Sequence, residues 1–240
     1  YLVLFLFILV FSADAFFSAE AQLIPVVCRQ LLLEFNPERA AVRRNFSICH
    51  EIAHTFFDDC YEIVHFRKAD PGLYGPDSEV EALCQLGAAE LLIPIEDFRG
   101  DMKKLPLSLR SVGPLVERYG ASREAILRRM IDATQSASAI VFLSKHLKPS
   151  ERGRKLAAEK KMRILYSVAA GRFPLYLPRD KSVPDDSCVN RARIIDNVVE
   201  RTEQWELPGF GSWRVEAMAL PIPEDCGDET PSVVSMLHVN

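Results

Sequence analysis

The feature that most constrains this chain is the segment His50-Glu51-Ile52-Ala53-His54, a complete H-E-x-x-H pattern. Residues four apart lie on one face of an α-helix, so both imidazoles can point at the same metal ion. Glu51 follows the first histidine, close enough to take a proton from a metal-bound water and turned away from direct ligation. The alternative is a buried helix whose two histidines are satisfied by hydrogen bonds. The pattern favours metal-assisted hydrolysis.

The residues around this pattern predict a helix that is buried on one side. Apolar residues recur at i, i+4 spacing along two rows, Ile48, Ile52 and Phe56 in the first and Cys49, Ala53 and Phe57 in the second. Asn45 or Ser47 can cap the start of the helix. A short polar segment at 36–39 separates it from a strand-like run at 31–35. The two histidines are therefore expected at the edge of a buried face.

Two histidines leave a tetrahedral zinc ion short of one protein ligand. One candidate is Cys60, which stands where metzincin-type sites have a third histidine, although Phe57 replaces the glycine of their turn. Better candidates lie on a second predicted helix over 79–94, which Pro94 ends. Glu81 shares a face of that helix with small or polar residues that suit close helix packing, namely Cys84, Gln85 and Ala88.

Glu79 lies on the opposite face of the second helix and is the fallback ligand. It shares that face with Leu83 and Leu86, which we expect to be buried against an apolar surface. Glu79 and Glu90 are otherwise expected to be solvated charges. From the residues alone, Glu81 is the preferred third ligand and Glu79 is the alternative.

Two stretches of the chain resemble the ImmA/IrrE family of metallo-endopeptidases. Residues 43–57 are similar to the family's R-x-F-S/T-x-x-H-E-x-x-H segment. Residues 81–94 are similar to its second motif, a Glu four residues ahead of an Asn, followed by small residues and Leu-Leu-Met-Pro. Gln85, Gly87 and Ile93 depart from the usual Asn, aromatic residue and Met. The resemblance covers roughly residues 30–130 and leaves the ligand positions intact.

The resemblance implies a Zn²⁺ site held by His50, His54 and Glu81, with Glu51 as general base and later as proton donor to the leaving amine. Tyr61, His65 and Tyr74 are candidates for stabilising the oxyanion. The resemblance also implies a protein substrate, typically a helix-turn-helix repressor, and a role in gene regulation or stress response. A non-proteolytic regulatory module that sequesters a partner protein is the alternative.

Composition limits the other functions. The net charge of −4 over 240 residues argues against a broad nucleic-acid surface. Six cysteines without a C-x-x-C pair indicate a reducing compartment, and the resemblance also favours the cytoplasm. The apolar run at 1–10 and the A-x-A-like pattern at 12–15 leave a signal peptide or a membrane anchor as alternatives. Membrane association therefore stays open.

Residues 107–134 predict two helices joined by a turn at 119–122, with Ser122 as N-cap of the second helix. The pair resembles a helix-turn-helix. Its base-reading side chains would be Arg123, Arg128 and Arg129. Since the chain is acidic overall, we expect the pair to pack on the core and not to bind DNA directly.

The composition changes after Lys148, where a linker is predicted at 149–153. Beyond it the pattern predicts a helix at 186–199 and strands at 163–168, 173–177, 213–220 and 232–239. The predicted fold is α+β: a zincin-like helical metallopeptidase core with a small β-sheet, a helix-turn-helix-like extension, and a GAF-like sensor or docking domain. The corresponding segments are 1–20 (apolar), 21–103 (core), 104–148 (extension) and 149–240 (C-terminal domain).

Overall fold

The computed structural model describes residues 7–12, 20–26, 30–57, 65–66, 78–151, 159–192, 197–207, 209, 211–220 and 230–239. Within these ranges the protein is a mixed α/β structure with six α-helices and two β-sheets. The chain forms two compact units. The first comprises Tyr1–Phe98 and Pro114–Ile126, and the second comprises Arg99–Gly113 and Leu127–Asn240. The four predicted segments divide the chain at other places, and their boundaries stay a prediction.

The first unit contains a four-stranded sheet with the order β1-β3-β2-β4. Its strands are β1 (Phe7–Ser12), β2 (Ala21–Val26), β3 (Gln30–Phe35) and β4 (His65–Phe66). β1 runs parallel to β3, whereas β2 is antiparallel to both of its neighbours. The strand predicted at 31–35 is confirmed as β3. Of the apolar run at 1–10, residues 1–6 lie outside the described residues.

The helix that carries the H-E-x-x-H pattern packs on one face of this sheet. Alternation along β3 places Leu31 and Leu33 on that face, where with Leu23 of β2 they form a buried cluster. Ile48 and Ile52 pack against this cluster from α1 (Ala41–His54). The sheet therefore supports the helix that carries the two histidines.

α1 begins earlier than predicted. Its N-cap residue is Ala40, which makes no side-chain cap, and Asn45 and Ser47 lie inside the helix. The capping prediction is wrong because both polar side chains bond to other elements of the first unit. Asn45 Nδ2 donates to the carbonyl of Gly120, and Ser47 Oγ donates to Glu20.

The second predicted helix is α2 (Ser78–Leu92), and α3 (Ile95–Met102) follows after Pro94. α2 packs on α1 through its small face, where Cys84 and Ala88 are fully buried. Leu83 and Leu86 are 46% and 67% exposed, so the prediction that they are buried is wrong. The apolar face of the sheet is covered by α1, and α2 turns its small face, not its leucines, towards that helix.

A helix pair follows, consisting of α4 (Val112–Tyr119) and α5 (Arg123–Ala133). The predicted turn is confirmed: Gly120 adopts a positive φ of 59°, a conformation that glycine reaches without steric cost. Ser122 Oγ accepts a hydrogen bond from the Ala125 N–H, which confirms it as N-cap. No helix in the described part of the chain combines the length and apolar character needed to cross a bilayer.

The second unit contains a five-stranded antiparallel sheet with the order β6-β5-β9-β8-β7. Its strands are β5 (Ser138–His146), β6 (Lys161–Ala169), β7 (Val199–Glu203), β8 (Trp213–Ala219) and β9 (Val233–His238). The short helix α6 (Cys188–Ala192) contributes Cys188 and Val189 to the apolar core of this unit.

Three of the predicted strands of the second unit are confirmed as β6, β8 and β9. The run at 173–177 forms no strand, because Pro174 and Pro178 have no N–H for a ladder. Of the helix predicted at 186–199, the structure shows α6; residues 193–196 lie outside the described residues, and β7 begins at the far end of the prediction. β5 falls in the segment predicted to be a helical extension, and it pairs with β6 across the predicted linker.

Candidate metal centre

His50 and His54 occupy one face of α1 and are almost completely buried. Their ring centroids are 5.0 Å apart with an interplanar angle of 77°. His50 Nε2 is 3.2 Å from Glu81 Oε2, and His54 Nε2 is 3.3 Å from Glu81 Oε1. Two imidazole nitrogens therefore converge on the two oxygens of one carboxylate.

The structure brings Glu81 to the histidines, whereas Glu79 is exposed. Because residues two apart on a helix point to nearly opposite sides, the two carboxylates cannot share the site. The Glu81 side chain is 49% exposed, so this side of the cluster is open to solvent. Cys60, Tyr61 and Tyr74 lie outside the described residues, as does the side chain of His65.

Close helix packing brings Glu81 within reach of α1. A Cβ atom placed on Gly87 would lie 3.0 Å from the Cβ of Ala53, which sits between Glu51 and His54. A separation that small requires the neighbour to give way, so glycine at this position permits the short distance between α1 and α2. Glu81 lies less than two helical turns before this contact. The short distance between the backbones of α1 and α2 therefore allows the Glu81 carboxylate to reach the histidines.

The donor set fits a divalent metal ion. One ligand atom from each of His50, His54 and Glu81 lies within 4.8 Å of the others. Two imidazoles and one carboxylate are the protein ligands of open zinc sites, which leave a fourth position for water or substrate. Glu51 is fully buried beside His50 and is not a member of this converging group. These residues could hold a metal while leaving the Glu51 carboxylate for another role.

A buried carboxylate outside the predicted site contacts the same helix. Glu20 is 2% exposed and precedes β2. Its Oε2 accepts a hydrogen bond from Ser47 Oγ at 3.1 Å, and its Oε1 is 2.8 Å from Arg43 Nε. Sequence reasoning missed Glu20, because no local pattern indicates a contact across 27 residues.

Cys49 lies on α1 beside His50. Burial raises the pKa of its thiol above the ordinary value of 9.0. The thiol therefore stays protonated at neutral pH and serves as a small apolar side chain, as the sequence predicted.

The second unit has a buried histidine of a different kind. His146 Nδ1 is 2.9 Å from Ser144 Oγ, and its Nε2 is 2.9 Å from Asp180 Oδ1. The buried Arg163 donates from Nε to the His146 carbonyl, from Nη1 to the Asp180 carbonyl, and from Nη2 to Glu151. The two nitrogens of this imidazole bond to different neighbours, so they link parts of the fold.

The converging donor set could hold a metal ion, and the family comparison suggests a metallopeptidase. Residues 26–131 match the model of the IrrE N-terminal-like domain of peptidase M78. The matched region contains α1 and α2, and therefore all three residues of the converging group. The match over this region confirms the resemblance to that family predicted from the sequence.

The fold has a counterpart among solved structures. A Mycobacterium tuberculosis transcriptional regulator matches with a TM-score of 0.56 and 15% sequence identity. The match covers 96% of this chain and 66% of the regulator, so the chain spans just under two thirds of that protein's length. At this identity the likeness concerns the fold alone. No curated protein matches the chain at a significant level.

Proposed function

We propose that this chain is a zinc-dependent endopeptidase that cleaves a protein substrate. The observation that carries the proposal is the convergence of His50, His54 and Glu81 within 4.8 Å. The fully buried Glu51 lies beside this group, as a general base requires. The M78 family match over this region supports the same chemistry.

His50, His54 and Glu81 would hold the metal. When bound, zinc lowers the pKa of a water molecule and polarises the scissile carbonyl group. Glu51 accepts the proton of the attacking water and delivers it to the leaving amine. Because the Glu51 side chain is excluded from bulk solvent, its carboxylate exchanges this proton within the site.

The substrate we propose is a helix-turn-helix transcriptional repressor, which the family resemblance implies. Cleavage would then change gene expression, for example in a stress response. The fold likeness to a protein described as a transcriptional regulator is in keeping with such a role. We also propose that the first unit has a zincin-like core and that residues 149–240 form a GAF-like sensor or docking domain. We further propose that the protein is cytoplasmic. The thiols of Cys49, Cys84 and Cys188 form no disulfide, which suits a reducing compartment.

Direct DNA binding is not part of the proposal. Within the second unit, the Arg128 guanidinium lies 5.6 Å from the centre of the Tyr166 ring. A guanidinium over an aromatic face gains cation–π stabilisation, which favours this intramolecular position over contact with a base. Packing thus accounts for one of the three arginines that would read bases.

Glu51→Gln tests the proposal. The amide cannot accept the water's proton, so we expect cleavage to fall by at least about a hundredfold while the fold and metal content are kept. The assay is cleavage of labelled casein as a general substrate, and of any helix-turn-helix repressor found encoded beside this gene. Glu79→Gln is the matched control, since it removes an exposed carboxylate from α2.

Two outcomes would contradict the proposal. Undiminished cleavage by Glu51→Gln would place any hydrolysis outside this site. Wild-type, zinc-loaded protein that binds the repressor without cutting it would favour the non-proteolytic alternative, a module that sequesters its partner.

A further inference from the structure

Glu20 is an unusual residue for its position. It lies ahead of the region that matches the family model, next to the buried Ala21, and its own side chain is almost completely buried. Taking a carboxylate out of water is costly unless charged or hydrogen-bonding partners replace the lost solvent. An apolar residue would fill such a position without that cost. The partners of Glu20 therefore indicate what the carboxylate contributes.

Two side-chain partners of Glu20, Ser47 and Arg43, lie on α1. Ser47 Oγ donates to Oε2 at 3.1 Å, and Arg43 Nε is 2.8 Å from Oε1. Residues 43 and 47 are one helical turn apart, so a single carboxylate engages two successive turns of the helix. Two attachment points on one face restrict both sliding of the helix and rotation about its axis.

The attached face is the one that carries the metal-binding residues. Ser47 precedes His50 by three residues and Glu51 by four, and all three side chains are buried. Side chains at this spacing share one face of a helix. A rotation of α1 that moved Ser47 away from Glu20 would move both residues of the site with it.

Glu20 also fixes the chain that leads into α1. Its backbone carbonyl accepts a hydrogen bond from the Asn36 N–H at 3.1 Å. Asn36 follows β3, and its side-chain oxygen accepts from the Glu38 N–H, which closes the turn before α1. One residue thus contacts both the entry and the body of the metal-binding helix.

We propose that Glu20 is a positioning residue for the metal centre, holding α1 through Ser47 and Arg43 so that its histidines meet Glu81. The inference rests on the proposed function in that it presumes metal binding by His50, His54 and Glu81. Glu20 lies outside the region that matches the family model, and it acts by holding the orientation of α1.

The test compares Glu20→Ala with Glu34→Ala in the full chain. Glu34 is a matched control, since it is a carboxylate of the same sheet that accepts from Gln22 across the strands. Three quantities are measured: zinc affinity by competition with a chromogenic chelator, the visible spectrum of the cobalt-loaded protein, and the melting temperature of the metal-free protein. For Glu20→Ala we expect zinc affinity to fall about threefold to tenfold, with a changed cobalt spectrum. For Glu34→Ala we expect neither change.

A double-mutant cycle with Ser47→Ala identifies the route. If Glu20 acts through Ser47, the combined loss of zinc affinity is smaller than the product of the two single losses. Ser47→Thr keeps a hydroxyl group and should restore most of the affinity lost in Ser47→Ala. Should Glu20→Ala fail to fold, Glu20→Gln replaces it in the cycle, because the amide keeps the side-chain shape and lacks the charge that faces Arg43.

Two results would overturn the inference and leave the proposed function intact. In the first, Glu20→Ala lowers the melting temperature but keeps wild-type zinc affinity and cobalt spectrum. In the second, the Glu20 and Ser47 losses multiply as independent effects. Wild-type protein that binds no zinc is a different failure, since it would overturn the proposed function itself and the inference with it.

Discussion

Each unit of this protein contains buried histidine, but the two units use it differently. In the first unit, His50 and His54 direct their Nε2 atoms at one carboxylate, that of the half-exposed Glu81. In the second unit, the two nitrogens of His146 contact different partners, Ser144 and Asp180. The nitrogens of His50 and His54 converge on a point that solvent can reach. The nitrogens of His146 instead link two different hydrogen-bonding neighbours.

The difference separates a candidate metal site from a structural network. Metal ligands must place their donor atoms around a common centre, so convergence and access are the relevant features. A structural network needs only that each buried polar atom finds a partner. Burial and residue type are shared by both clusters, so neither property alone identifies a site. The direction of the ring nitrogens distinguishes the two clusters.

The largest expected effect is loss of the metal. Purified wild-type protein should carry close to one zinc per chain, and His50→Ala should abolish this, because two ligands hold zinc far more weakly than three. His146→Ala should keep full zinc content. Metal analysis after extensive dialysis checks both variants. Stoichiometric zinc in a variant lacking both His50 and His54 would remove the distinction between the two clusters.

Glu81→Ala should have the next largest effect. Losing one ligand is expected to weaken zinc binding by about tenfold or more, while Glu79→Ala should change the affinity little. Chelator competition gives both affinities under the same conditions. Equal losses in the two variants would mean that general acidity of α2, and not convergence on one carboxylate, supports metal binding.

His146→Ala should cost stability. It removes the imidazole that contacts Ser144 Oγ and Asp180 Oδ1, together with packed ring atoms, for which we expect a loss of about 1–3 kcal/mol of unfolding free energy. Urea denaturation of the full chain measures the change. A variant of unaltered stability would show that this network does not support the second unit.

The smallest effect concerns pH and Glu216, a buried residue of β8. Burial alone would raise its pKa, but the His238 imidazole 3.4 Å away and hydrogen bonds from Ser108 and the Leu109 N–H hold the pKa below its ordinary value of 4.5. The unfolded chain therefore binds this proton more readily. The contribution of the Glu216 carboxylate to the free energy of unfolding is present above pH 4.5, and it is lost as pH falls through the folded-state pKa.

Glu216→Gln should accordingly flatten the acid side of the stability curve. Urea denaturation at pH values from 7 down through 4.5 compares the variant with the wild type. The carboxylate contacts Ser108 Oγ and the Leu109 N–H at 2.7 Å, so the variant should also be somewhat less stable at neutral pH. An unchanged pH slope would show that another group causes the acid sensitivity.

The sequence predicted the parts of the molecule that depend on local spacing. His50 and His54 share a helix face because of the period of the α-helix, and Glu81 was preferred over Glu79 because its face is small. Both geometric predictions hold in the structure. The ligand and catalytic roles themselves stay predictions. The turn at Gly120 and the Ser122 cap were likewise set by neighbouring residues.

Features that depend on distant partners could not be predicted. β5 lies between β6 and β9, and neither pairing is visible in its own residues. Leu83 and Leu86 have the spacing of a buried face, yet which face of α2 is covered depends on where α1 lies. Glu20 resembles any surface glutamate until the fold brings Ser47 to it.

The close approach of Ala53 and Gly87 has a consequence for natural variation. A Cβ atom at 87 would lie 3.0 Å from the Cβ of Ala53, which is tighter than ordinary van der Waals contact, so a methyl group there requires the two helices to separate by a few tenths of an ångström. Selection should therefore act on the pair. In chains of the family that this region resembles, where an aromatic residue is usual at the position of Gly87, a wider spacing between the two helices should accompany it. The spacing between these helices would then be inherited as a joint property of both positions.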